Sequence, residues 1–170
     1  TKCPYVPPHD FDLDFPHLML RYRTAQKKLG QLSTVPRQLA EIDRNSKIGV
    51  MFSKLINWAS NIKNKFFRKI LEFITGIDIR AQLPKYNSET FSNFFKKNND
   101  LINYEAKNSV RKVVIYTTCF VNFNKKNTGV AALKVLKKNG VEVKEAYPGC
   151  CGMPFLEQAD LSKVVLQAKK

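Results

Sequence analysis

Two cysteines stand side by side in "PGCCGMP", as Cys150 and Cys151, in a chain that has only four. A third, Cys119 in "TTCFVN", lies upstream with thirty residues between it and Cys150, and Cys3 stands just before Pro4. Ionised thiols are soft ligands for zinc and for iron–sulfur clusters, and thiol pairs also carry electrons as disulfides. Four cysteines so unevenly spaced do not make a secreted disulfide framework; a reducing, cytoplasmic setting suits them better. Adjacent side chains normally diverge, so aiming two sulfurs at one centre needs a contorted turn. Gly149 and Gly152 permit positive φ there, and Pro148 and Pro154 stiffen the approaches.

The elements around these residues decide whether the thiols meet. "VVIYT", residues 113–117, is a β-branched apolar run of the kind expected for a strand buried on both faces. "NTGVAALKVLKKNG" follows as a helix capped at Asn127 or Thr128 and stopped at Gly140, and "VEVKEA" is a second strand. "EQADLSKVVLQAKK" then reads as a helix with Leu161, Val164, Val165 and Ala168 inward. Strand–helix–strand–helix at this spacing implies a parallel α/β arrangement. Neighbouring parallel strands end about 5 Å apart, which gathers Cys119, Cys150 and Cys151 along the carboxyl edge where open sheets place their sites. Helix N-termini at that edge would favour thiolate. Buried core cysteines, a strained vicinal disulfide, zinc and iron–sulfur all remain open on these residues alone.

Upstream, the pattern is mostly helical. "TKCPYVPPHDFDLDFPH" is proline-rich and irregular, followed by a helix with Leu18, Tyr22, Ala25 and Leu29 on one face and Gly30 as its stop. "STVPRQLAEIDR" starts a second helical region. Its continuation spaces Ile48, Met51, Phe52, Leu55, Ala59, Ile62, Phe66, Ile70 and Phe73 by three and four, opposite a basic and amide face that includes Lys47, Lys54, Lys63, Lys65, Arg68 and Lys69. The spacing predicts an amphipathic helix, or two broken near Asn61. It fits either a hairpin packed on the protein or an interfacial helix with Trp58 and phenylalanines toward lipid. Residues 82–108 read as a linker with one or two helical turns. The expected organisation is 1–30, 31–81, the 82–108 linker and a cysteine-rich module over 109–170.

With 29 Lys+Arg against 14 Asp+Glu, the formal charge is +15, which favours anionic partners. No apolar run reaches the roughly 18 residues that read as a membrane span. No phosphate loop, dinucleotide glycine fingerprint, Ser-His-Asp arrangement or nucleic-acid motif is present. His9 and His17 read as structural residues of the proline-rich segment, and Asp10, Asp12 and Asp14 lack the glycine and terminal glutamate of a calcium loop.

"TTCFVN" with "YPGCCGMPFLEQADL" resembles the CCG module of heterodisulfide-reductase-type iron–sulfur oxidoreductases, and "KCPYVPPHDFDLDFPHLMLRYR" resembles the exit of the ferredoxin-like segment before it. The resemblance implies that Cys3 is the last ligand of a C-x2-C-x2-C-x3-C-P run on a [4Fe–4S] cluster, and that Cys119, Cys150 and Cys151 hold a second centre, with zinc as the rival occupant. The Cys119–Cys150 spacing is one residue shorter than the family's range. The resemblance further implies a fragment of an electron-transfer oxidoreductase, not catalytic alone, taking electrons from a flavoprotein dehydrogenase partner toward a quinone or disulfide acceptor. It implies a cytoplasmic place, peripheral on the inner face of the cell membrane through residues 48–73. The alternative is a non-redox basic module, with structural zinc or no metal, that binds nucleic acid or another anionic partner.

Overall fold

The computed structural model describes residues 4–6, 8–103 and 111–170. Cys3 and the module boundary near Asn108 lie outside them. The chain divides into two compact units, Thr1–Ala40 with Gly152–Lys169, and Glu41–Cys151 with Lys170.

In the first unit, α1 (Phe15–Lys28) starts at Asp14, whose carboxylate accepts the His17 N–H and pairs with the His17 ring. Both histidines are used locally, since His9 Nδ1 accepts the Phe11 N–H at 3.1 Å. A short α2 (Thr34–Leu39) follows. The cysteine-proximal helix breaks into α9 (Met153–Glu157) and α10 (Leu161–Ala168). Arg23 donates to the Glu157 carbonyl at 2.5 Å, and Lys27 pairs with Asp160 at 3.1 Å. These contacts turn the Met19–Leu20–Lys27 side of α1 inward and leave Leu18, Tyr22 and Leu29 exposed, the reverse of the expected face. Leu161, Val165 and Ala168, expected inward on α10, are exposed as well, and Val164 alone of the four is partly covered.

The second unit holds α3 (Ile42–Met51), α4 (Ser53–Ala59), α5 (Lys65–Thr75), α6 (Phe91–Asn103), β1 (Lys112–Tyr116), α7 (Cys119–Phe123), α8 (Lys126–Lys138) and β2 (Glu142–Ala146). The strands pair in parallel from Lys112↔Glu142 to Tyr116↔Ala146, with α7 and α8 in the crossover. The chain is thus α/β, with a helical region preceding a small parallel sheet. Phe91, Phe95, Leu133 and Val143 form the buried core, with Val113, Ile115 and Val130 against it. Burying four such side chains stabilises the unit by about 1.5–3 kcal/mol each.

Three sequence expectations change here. The stretch read as a linker contains the 13-residue helix α6, because Phe91, Phe94 and Phe95 recur at three and four and supply the core. β1 is covered on one face only: Val114 and Tyr116 are 59% and 54% exposed, since helices α6 and α8 pack the opposite side. The amphipathic region is turned inside out relative to a packed hairpin. Its buried residues are Ser46, Gly49, Ser53 and Arg68, while Met51, Leu55, Trp58, Phe66 and Phe73 face outward.

Local contacts explain that inversion. A side-chain carbon on Gly49 would stand 2.6 Å from the Tyr86 ring, and Asn57 exchanges two hydrogen bonds with the Tyr86 backbone. Arg68 is fully buried and donates to the carbonyls of Asp78, Ile79 and Ala81. The small and hydrogen-bonding residues therefore hold the helices to the protein, and the aromatics are left outside.

Candidate metal centre

The two strands carry the thiols to one edge. Thr117 N–H donates to the Ala146 carbonyl at 2.9 Å, extending the ladder one step past Tyr116. Thr118 then caps α7, its hydroxyl accepting the Val121 N–H, so that Cys119 becomes the first residue of that helix. On the other strand the chain leaves Ala146 through Tyr147 and Pro148 to Gly149, whose φ of +136° is open to glycine and costly for other residues. Cys150 follows, buried, and Cys151 is exposed.

Cys119 and Cys150 come together, near enough for the Cys150 side chain to act on the Cys119 thiol. Burial pushes the Cys119 thiol above its ordinary pKa, outweighing the opposite pull of the Phe120 backbone and the Cys150 side chain, and the charges at Cys151 and Asp43 push the same way. The expected thiolate-favouring effect of the helix start is therefore overridden, since α7 is one short turn and desolvation is the larger effect. The free thiol stays protonated at neutral pH, and metal binding would have to displace that proton.

Sequence reasoning missed two residues. Tyr147 hydrogen-bonds through its hydroxyl to Asp43 Oδ1, and Asp43 Oδ2 accepts the Cys150 N–H at 3.0 Å. The Tyr147 phenol is pushed above its usual range, by burial first and then by the Asp43 carboxylate. No local signal in "EIDR" marks Asp43, which reads as an ordinary acid in a helix's first turn. Tyr147 sits inside the turn already singled out and was the findable one.

The donor set is soft sulfur, and the Thr117 hydroxyl, two residues before Cys119, is buried with no partner. The sulfurs suit a thiophilic group, and the hydroxyl is left with a hydrogen bond to make. Among the described residues, no three Cys, His, Asp or Glu side chains stand in an arrangement that could hold a metal ion as they are. Cys119 and Cys150 form the gathered pair, and Cys151 lies outside it.

Residues 113–169 match the CCG cysteine-rich domain family. A subunit of the anaerobic glycerol-3-phosphate dehydrogenase of Escherichia coli K12 is 28% identical over 131 residues, which are 76% of this chain and 32% of that protein. An uncharacterized iron–sulfur protein of Methanococcus maripaludis is 27% identical over 115 residues, 63% of this chain and 22% of its own length. The chain thus spans about a third or less of the curated relatives it matches. No solved structure matches. The two neighbouring thiols at the ends of the paired parallel strands thus lie in a stretch, residues 113–169, that is similar to the CCG cysteine-rich domain family.

Proposed function

We propose that this chain is an electron-transfer portion of an iron–sulfur oxidoreductase, with Cys119, Cys150 and Cys151 as ligands of a cluster of the [4Fe–4S] class and Cys3 as a ligand of a second. The observation that carries the proposal is the contact between Cys119 and Cys150 at the strand ends. Such a cluster, when bound, takes up and passes on single electrons. The protein's part is to hold it: β1 and β2 bring the sulfurs together, Gly149 bends the chain between strand and thiol, and burial of Cys150 keeps water from one side. Exposed Cys151, adjacent to Cys150 in the turn, is the proposed third sulfur. One relative is named as an iron–sulfur protein, and neither is named for zinc.

The Escherichia coli relative is named as part of a dehydrogenase, which supports a dehydrogenase as electron donor; a flavoprotein is the proposed class. A quinone or disulfide is the proposed acceptor. The module over 109–170 is the proposed redox unit, preceded by the exit of a ferredoxin-like segment over 1–30, an amphipathic helical region over 31–81 and the stretch 82–108.

Peripheral contact with an anionic membrane through residues 48–73 is part of the same proposal. Its support is the outward set of Met51, Leu55, Trp58, Phe66 and Phe73, interleaved with exposed Lys47, Lys54, Lys63, Lys65 and Lys69. Such a surface suits the headgroup–acyl boundary. No helix among the described residues is long and apolar enough to cross a membrane.

The test is anaerobic purification of the protein from its complete reading frame, with iron and acid-labile sulfide measured per chain. Brown protein that loses iron at this site in the Cys150→Ser variant supports the proposal. Colourless protein with neither element refutes it.

A further inference from the structure

Asp43 and the cysteine turn are 107 positions apart at Cys150, yet one carboxylate engages that turn twice. Asp43 lies in the first turn of α3, where its charge already suits the helix dipole. Its oxygens are committed elsewhere: Oδ1 to the Tyr147 hydroxyl, Oδ2 to the Cys150 N–H. Cys150 is 4% exposed, so its backbone N–H needs an acceptor, and Asp43 supplies one. The Tyr147 ring stands edge-on to Phe123 at 5.6 Å between centroids. Phe123 is the last residue of α7, the helix whose first residue is Cys119.

We propose that Asp43 is a positioning residue for the thiol site, fixing Cys150 through its backbone and, through Tyr147 and Phe123, the helix that presents Cys119. Both sulfurs of the gathered pair are thereby referred to one carboxylate on α3. A residue at position 43 with no hydrogen-bonding side chain would release the turn, and would also remove a negative charge beside the centre. The inference rests on the iron–sulfur reading for its consequences with the cluster bound, and on geometry alone for its consequences without it.

Two measurements test it. In the iron-free protein, Asp43→Ala is expected to speed iodoacetamide alkylation of Cys150 several-fold, because the released turn exposes a buried thiol. An unchanged rate overturns the proposal. In the protein from its complete reading frame, reconstituted anaerobically with ferrous iron and sulfide, the same variant is expected to bind iron about tenfold more weakly. Its bound fraction should show a more positive midpoint potential and altered electron paramagnetic resonance. Tyr147→Phe, which leaves the carboxylate bonded to Cys150, should shift these less. If Asp43→Ala does not fold, Asp43→Glu keeps the charge but moves it by a methylene, and an unchanged spectrum in that variant overturns the proposal. A lowered melting temperature with spectrum, potential and alkylation all unchanged also overturns it, by reducing Asp43 to a packing residue. Wild-type protein without iron fails the reading beneath it, and the alkylation result still decides the positioning role.

Discussion

A side-chain carbon placed on Gly129 would stand 2.5 Å from the ring of Phe91, which is wholly buried. The ring from α6 lies directly on the backbone of α8. That close approach joins a helix hidden in an apparently polar stretch to the crossover between the two strands.

Gly129→Ala is therefore expected to destabilise the second unit. Replacing glycine by alanine inside a helix ordinarily stabilises by roughly 0.5–1 kcal/mol. Here the Phe91 ring has to move within a packed core, which costs about 1–3 kcal/mol, so the sign reverses. Urea denaturation should show a lower midpoint with an unchanged slope. A midpoint equal to or above wild type would show that the ring yields freely.

The inside-out helices predict a separation between folding and surface binding. Phe73 is 92% exposed, so Phe73→Ser should change unfolding free energy by less than about 0.5 kcal/mol. It should also weaken cosedimentation with vesicles that contain anionic lipid. Ser46→Leu, on the buried face beside Gly49, should do the reverse: lower stability with vesicle binding retained per folded molecule. Equal, negligible binding of wild type to anionic and neutral vesicles would remove the membrane contact from the proposal.

Stability of the iron-free protein should fall on the alkaline side. Burial holds the Cys119 thiol and the Tyr147 phenol above their ordinary ranges. Unfolded, the two ionise near about 8.5 and 10, so the unfolded chain loses these protons first as pH rises. Their contribution is whole below about pH 8 and is lost progressively above it. Melting temperature followed from neutral to alkaline pH should decline in that window, and Tyr147→Phe should flatten the upper part of the fall. Parallel curves for the two proteins would contradict the assignment to Tyr147.

Much of the site was legible without coordinates. "VVIYT" and "VEVKEA" are recognisable as strands because β-branched runs of that length, separated by a helical period and glycine stops, have few alternatives. The observed strands, Lys112–Tyr116 and Glu142–Ala146, lie within a residue of those runs. Parallel pairing then forces their following residues together, and the Cys119–Cys150 contact follows. Helix α6 was less legible because Asn and Lys crowd the positions around its phenylalanines. Composition masked a periodicity that "FSNFFKKNND" does contain.

Local order, then, is what the amino-acid sequence determined alone: which runs are strands or helices, where glycine must break them, and which residue types carry the chemistry. Those properties depend on neighbours within a few positions. Tertiary structure alone decided which face of each helix is covered, because covering depends on partners remote in the chain. Tyr86 against Gly49 and the carbonyls around Arg68 turned the aromatic stripe outward, against what amphipathic spacing suggests. Asp43 became part of the cysteine site the same way, since a carboxylate's role is set by the donors that surround it after folding.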